Sequence, residues 1–227
     1  MGLWNMLRKD IIAYRKTWIW SLFYIVIFPF AFRASMGTQG AYVMIMGLTS
    51  YMITAGTIQS DERSNINYLL GVMPVKRSTI VGAKIMLINV TAVFCAILYT
   101  LLGVVNRICL PQIEIYVLPS VTTLFVGWMS ASAMALIFVP LSYKLDSNRG
   151  RMAGTLLAIV VIMAFTAAAT IYASVGDMED PLAQIRNITM KLKIPMDVMW
   201  GMFAALSVIF QAVAYGLCRR IYEKKDF

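Results

Sequence analysis

Six stretches of the chain are apolar on every face for about the 20 residues a helix needs to cross a hydrocarbon core of ~30 Å. They run from Thr17 to Ala34, Ala41 to Gln59, Ile85 to Asn106, Ile115 to Leu141, Met152 to Val175 and Met196 to Leu217. None alternates apolar with polar residues, which excludes β-barrel spans, and a helix is the remaining way to satisfy backbone polar groups in lipid. Ahead of the first stretch the pattern changes. Leu3, Leu7, Ile11, Tyr14 and Trp18 recur every three or four residues while Asn5, Arg8, Lys9, Arg15 and Lys16 occupy the other side, as in a helix lying flat in the interface. The expected fold class is an all-α membrane protein. Six transmembrane helices follow an interfacial amphipathic helix over residues 1–16, and all 227 residues form one domain.

Composition agrees with this pattern. The chain is 60% hydrophobic and 14% charged, a balance that suits lipid rather than water as the surrounding solvent. Its net charge of +9 gains meaning from its placement. Fifteen of the twenty basic residues fall on one side of the expected spans, in the leader, in the 60–84 loop, at Lys144, Arg149 and Arg151, and in the tail from Arg219. The other side holds Arg33, Arg107, Arg186, Lys191 and Lys193 against Glu114, Asp177, Glu179, Asp180 and Asp197. The positive-inside rule puts both termini in the cytoplasm, and anionic lipid accounts for the basic face without nucleic acid. The basic leader before Ala34 and Ser35 has the outline of a signal peptide, but it is too long and too patterned for one. Met6 stands where myristoylation wants Ser or Thr.

The loop after the second span is organised. Ser60 is placed to cap a short helix with Asp61 and Glu62 in its first turn, and Gly71 and Pro74 end it. Ile66, Leu69 and Leu70, with Tyr68, make an apolar ridge rimmed by charge. Such a ridge suits either docking of a partner or contact with the leaflet.

The stretch Asp61-Glu-Arg through Tyr68-Leu-Leu-Gly-Val-Met-Pro-Val-Lys-Arg-Ser-Thr-Ile-Val-Gly-Ala-Lys84 resembles the coupling-helix region of the permease subunits of type-2 ABC exporters. Leu7-Arg-Lys-Asp10 is similar to that family's N-terminal Lys-Asp segment, and Pro140-Leu-Ser-Tyr-Lys-Leu-Asp-Ser-Asn-Arg-Gly-Arg151 to its second cytoplasmic loop, apart from an Asp-Ser where Gly is expected. The resemblance implies a multi-pass protein of the bacterial cytoplasmic membrane, two permease chains (like or paralogous) around one pathway, and two copies of a separate ATPase subunit carrying ATP and magnesium. It assigns ATPase coupling to Asp61, Glu62, Arg63, Tyr68, Leu69, Leu70, Met73 and Pro74, with Lys144, Arg149 and Arg151 as a second contact. The small permeases of this kind resemble exporters of amphipathic and antimicrobial peptides such as phenol-soluble modulins, which makes membrane-active peptides the expected cargo.

The residues themselves limit the alternatives. No Gly-x-x-x-x-Gly-Lys-Ser/Thr cradle for nucleotide phosphates is present, so nucleotide has to be bound by another chain. Carboxylates are missing from the middle of the spans, where an ion-coupled carrier places them. Histidine is absent, and Gly127-Trp-Met-Ser130 lacks the trailing Gly of a nucleophile elbow, so neither a catalytic site nor a metal site is expected. Cys95, Cys109 and Cys218 have no pairing or metal spacing. Tyr51, Thr54, Thr57, Thr122, Trp128 and Ser130 are the candidate lining of a cargo pathway, joined by Asn89, Thr91, Thr123, Ser132, Thr166 and Thr170 as polar points in the spans. Seventeen methionines add adaptable apolar surface. A helix after Pro181 with Leu182, Ile185, Ile188 and Leu192 on one face is a candidate outer gate or leaflet-bound helix. A non-transporting scaffold or assembly factor that docks a cytoplasmic partner through the loop remains the alternative function.

Overall fold

The computed structural model describes residues 3–13, 15–64, 76–109, 118–144 and 196–223, together with the side chains of most of them. They form five helices: α1, Leu3–Ala13; α2, Arg15–Arg63; α3, Arg77–Cys109; α4, Val121–Lys144; and α5, Met196–Glu223. Among the described residues all regular structure is helical.

Helix α2 contains both of the first two expected spans. A straight helix would set Thr17 and Gly56 about 58 Å apart at ~1.5 Å per residue, yet a Cβ on Gly56 would meet the Thr17 methyl at 3.8 Å. The element therefore doubles back between Phe30 and Gln39. Ile25 on the outgoing limb consequently packs with Tyr42, Ile45 and Met46 on the returning one. The returning limb, Gln39–Ile58, is long and apolar enough to cross a membrane, as are α3, α4 and Asp197–Tyr222 of α5. The outgoing limb Thr17–Phe30 passes the same test only when paired with α1, which it meets at a bend of 70°. The expected span at Met152 to Val175 and the helix after Pro181 lie outside the described residues.

Every element end that the charge pattern assigns to one side gathers at one end of the bundle. Arg77 Nη1 donates to the Tyr222 carbonyl at 3.3 Å, and the Tyr143 and Tyr222 rings meet edge to face at 5.3 Å. At the opposite end the Trp200 indole donates to Thr122 at 3.2 Å. There Ser120 caps α4 by accepting from the Thr123 amide at 3.1 Å, and Gln39 reaches across to the Leu118 carbonyl at 3.2 Å and accepts from the Thr123 hydroxyl at 2.6 Å. Helices α4 and α5 run parallel, so Lys144 and Met196 sit at opposite ends of the bundle.

Close approach between the returning limb of α2 and α4 depends on Gly127. A Cβ there would stand 2.6 Å from Met46 Sδ and 3.0 Å from the Tyr42 ring, so any side chain at this position would have to displace the Met46 thioether and crowd the ring.

Candidate functional site

Helix α3 begins at Arg77, eight residues before the apolar stretch it carries, and its 33 residues span about 50 Å. Its first two turns therefore stand clear of a ~30 Å core, and Lys84 faces the end of α2 and the inner side of α1. Four charges meet there. Lys84 Nζ lies 2.6 Å from Asp61 Oδ2 and 2.9 Å from Asp10 Oδ2. Lys9 Nζ lies 3.0 Å from Asp61 Oδ1 and 3.2 Å from Asp10 Oδ1. Each carboxylate thus touches both ammonium groups, and the four charges sum to zero. The Asp10, Asp61 and Lys84 side chains are 2%, 5% and 3% exposed, whereas Lys9 keeps 26%. Such burial is tolerable only because each charge has opposite charges at bonding distance.

The cluster sets the local protonation. Burial alone would raise the Asp61 carboxyl, but Lys84 and then Lys9 hold it below the usual carboxylate value. Burial would lower the Lys9 ammonium, but Asp61 and Asp10 hold it above the usual lysine value. Both groups stay charged at neutral pH.

One local expectation is corrected. Ser60 does not cap a new helix. Helix α2 continues through Arg63, so Asp61 and Glu62 lie in its last turn, and the Ser60 carbonyl accepts from both the Ser64 amide, at 3.0 Å, and the Ser64 hydroxyl, at 2.8 Å. Thr57, Ile58 and Gln59 offer no helix breaker, so the span runs on without interruption. A carboxylate at a helix C-terminus faces the negative end of the dipole, and Lys9 and Lys84 offset that cost. Asp61 is therefore buried among the described residues. The Glu62 and Arg63 side chains, and Tyr68, Leu69, Leu70, Met73, Pro74, Arg149 and Arg151, lie outside the described residues. Lys144 is exposed at the end of α4, on the same end of the bundle as the cluster.

Among the described residues, the candidate cargo-lining residues are spread over several places in the bundle. Tyr51 and Thr54 line a gap between α2 and α4, with the Tyr51 ring 4.3 Å from that of Phe138. Thr57 is buried, and its hydroxyl donates to the Thr54 carbonyl at 2.8 Å. Ser130 donates to the carbonyls of Val43 at 3.0 Å and Gly127 at 2.8 Å. Thr122 is at the far end against Trp200. Trp128 belongs to a second polar group within the membrane span, where its indole donates to Asn89 Oδ1 at 2.8 Å. Asn89 and Gln211 form a reciprocal amide pair, both bonds 3.0 Å, and Gln211 also donates to Ser132 at 2.9 Å. Gln211 is absent from the polar points chosen from the sequence, although a lone amide in an apolar run of α5 is the kind of signal that identifies such a group.

Helix α3 thus holds every other described helix by a polar side chain: α1 and α2 through Lys84, α4 and α5 through Asn89, and α5 again through Arg77. Both flanks of the 65–75 segment are drawn into this arrangement, through Asp61 on one side and through Arg77 and Lys84 on the other. No curated protein matches the chain. The profile of the ABC-2 family transporter protein matches residues 5–223, from the N-terminal helix that carries Lys9 and Asp10 to the last turn of α5. With apolar helices, a connected polar frame and a family match over nearly its whole length, this chain belongs to the ABC-2 family of transporter proteins and is a membrane permease of an ABC transporter.

Proposed function

We propose that this permease exports amphipathic or hydrophobic cargo, membrane-active peptides foremost, across the cytoplasmic membrane of a bacterial cell, driven by two copies of a separate ATPase that binds ATP and magnesium. In this reading the permease acts as a pair of chains, like or paralogous, each with six spans and both termini in the cytoplasm. The parallel course of α4 and α5 favours that count, because the chain between them has to return from one end of the bundle to the other. The 60–84 loop carries the coupling element, with Asp61, Glu62, Arg63, Tyr68, Leu69, Leu70, Met73 and Pro74 serving ATPase coupling and Lys144, Arg149 and Arg151 as a second contact.

The observation that carries the reading is the buried four-charge cluster. Asp61 and Lys84 lie on the two sides of the coupling segment and bond to each other at 2.6 Å, while both hold α1 through Asp10 and Lys9. A push on the segment is then delivered to three helices together rather than lost as loop motion. The cargo preference follows from spans that offer hydroxyls and methionines rather than fixed charge.

The test is reconstitution of the permease with its ATPase in proteoliposomes, comparing the native chain with a variant carrying Leu69→Asp and Leu70→Asp. Basal ATP hydrolysis should persist while peptide-stimulated hydrolysis and export fall to background. Unchanged export by the variant would refute the coupling assignment. Full function of the chain without any ATPase would favour the scaffold reading instead.

A further inference from the structure

A gap between the returning limb of α2 and α4 is lined by Ser50, Tyr51, Thr54, Ile58, Met134 and Phe138, among others. It has room for about one water molecule. Ser50 and Thr54 are 1% and 2% exposed, and among the described residues neither hydroxyl has a hydrogen-bond partner. This sets them apart from their neighbours. The hydroxyls of Thr57, Ser132 and Ser142 all bond back to a carbonyl of their own helix at 2.8 to 2.9 Å, the usual way for such groups to be satisfied in an apolar helix.

A buried hydroxyl without a partner is costly, and two of them facing one gap share a simple remedy. Residues four apart on a helix have Cβ atoms about 5–6 Å apart. A molecule making a bond of ~2.8 Å to each hydroxyl covers that distance. The rest of the lining is apolar or already bonded, so the ligand is small, uncharged, and able both to donate and to accept. We infer that Ser50 and Thr54 hold one ordered water in the α2–α4 seam, within the membrane-spanning part of the protein. The wall on the α4 side runs from Ala131 to Ser142 and so spans Pro140, which lacks the N–H that would bond the Leu136 carbonyl. The water therefore faces the weakest stretch of that helix. A water can exchange partners as two helices slide, whereas a direct side-chain bond fixes them, so the site keeps the α2–α4 seam polar without locking it. None of this rests on the direction of transport or the nature of the cargo.

Radiolytic hydroxyl footprinting of the full chain in lipid nanodiscs tests the site, because radicals generated from a bound water label the side chains next to it. Phe138, at 2% exposure, is beyond the reach of bulk radicals. The native protein should show oxidation at Phe138 and Met134, and after rapid mixing into oxygen-18 water these labels should retain oxygen-16 longer than labels at exposed residues. Thr54→Ser should preserve the labelling. The variant carrying Ser50→Ala and Thr54→Val should reduce it at least fivefold. Absence of Phe138 oxidation in the native protein would overturn the assignment, as would undiminished labelling in the doubly substituted, folded variant. Should that variant not fold, the single change Ser50→Ala, which removes one of the two anchors, has to weaken the labelling for the inference to stand.

Discussion

Replacing Lys84 with methionine keeps an unbranched apolar stem and removes one charge from the cluster. Asp10 and Asp61, with side chains 2% and 5% exposed, then have to share Lys9, and the group carries a net negative charge out of reach of solvent. Deleting one partner of a buried ion pair costs about 3–5 kcal/mol, because the remaining charge stays desolvated. At about 2–4 °C per kcal/mol for a chain of this size, the melting temperature in detergent or nanodiscs should fall by roughly 6–20 °C. The chain supplies its own reporter. Cys95 and Cys218 are buried while Cys109 is exposed, so in a Cys109→Ser background a thiol-reactive dye reads only unfolding. The companion variant, Asp61→Asn with Lys84→Met, leaves Lys9 facing Asp10 and restores neutrality, and it should recover most of the loss. The reasoning is refuted if Lys84→Met melts within about 2 °C of the parent, or if the double variant melts no higher than the single one.

Three further outcomes follow. Gly127→Ala puts a methyl 2.6 Å from Met46 Sδ and should cost about 1–3 kcal/mol by overpacking, read as a lower melting temperature; combining it with Met46→Ala should be less than additive. Gln211→Leu breaks the reciprocal amide pair and leaves Asn89 short of a partner, at a cost of about 1–3 kcal/mol, and a cycle with Asn89→Leu should show a coupling of at least ~0.5 kcal/mol in dye-monitored melts. The docking of α1 should be level across neutral pH. Because the Asp61 value is depressed in the fold, its contribution is complete above the unfolded value of about 3.9 and disappears as pH falls through the depressed one. Because the Lys9 value is raised, its contribution is complete below about 10.4 and disappears as pH rises through the raised one. A fluorophore at Arg8→Cys, on the exposed face of α1, should therefore stay immobile between these limits and loosen outside them; release near pH 6 would contradict the arrangement.

The long apolar elements were legible from the sequence because a residue in lipid has few choices: the returning limb of α2 and helices α3, α4 and α5 all overlap expected stretches. The ends were harder. Nothing in Gln59-Ser60-Asp61 forbids a cap, and only tertiary partners decide that the helix runs on to Arg63. Two lysines from distant parts of the chain make a carboxylate acceptable at the unfavourable helix end, and no local pattern reports them. The amide pair shows the same limit. Asn89 stood out as polar, but its partner Gln211 is 122 positions away, and a single glutamine beside alanines and valines looks like any other tolerated polar residue. The doubling back of α2 was expected from the two separate apolar stretches, Thr17 to Ala34 and Ala41 to Gln59, and the approach of Thr17 to Gly56 agrees with it.

The two polar groups on α3 are close together, and their spacing has a mechanical consequence. Lys84 and Asn89 are five residues apart, about 7.5 Å along the axis, yet they face different neighbours: α1 and α2 for the lysine, α4 and α5 for the asparagine. A helix pinned on two sides within one and a half turns cannot rotate at one pin without straining the other. It can still tilt about that short pinned stretch, carrying the Arg77 end one way and the longer arm towards Cys109 the other. Force entering at Arg77 would thus be converted into movement of the far end of α3, where a Cβ on Gly103 would meet Leu118 at 3.5 Å and the bundle is held by side chains from Gln39, Ser120 and Thr123 rather than by charges. The charged end is held by buried ions that have no substitute for their partners, and the far end by neutral hydrogen bonds, each of modest net worth.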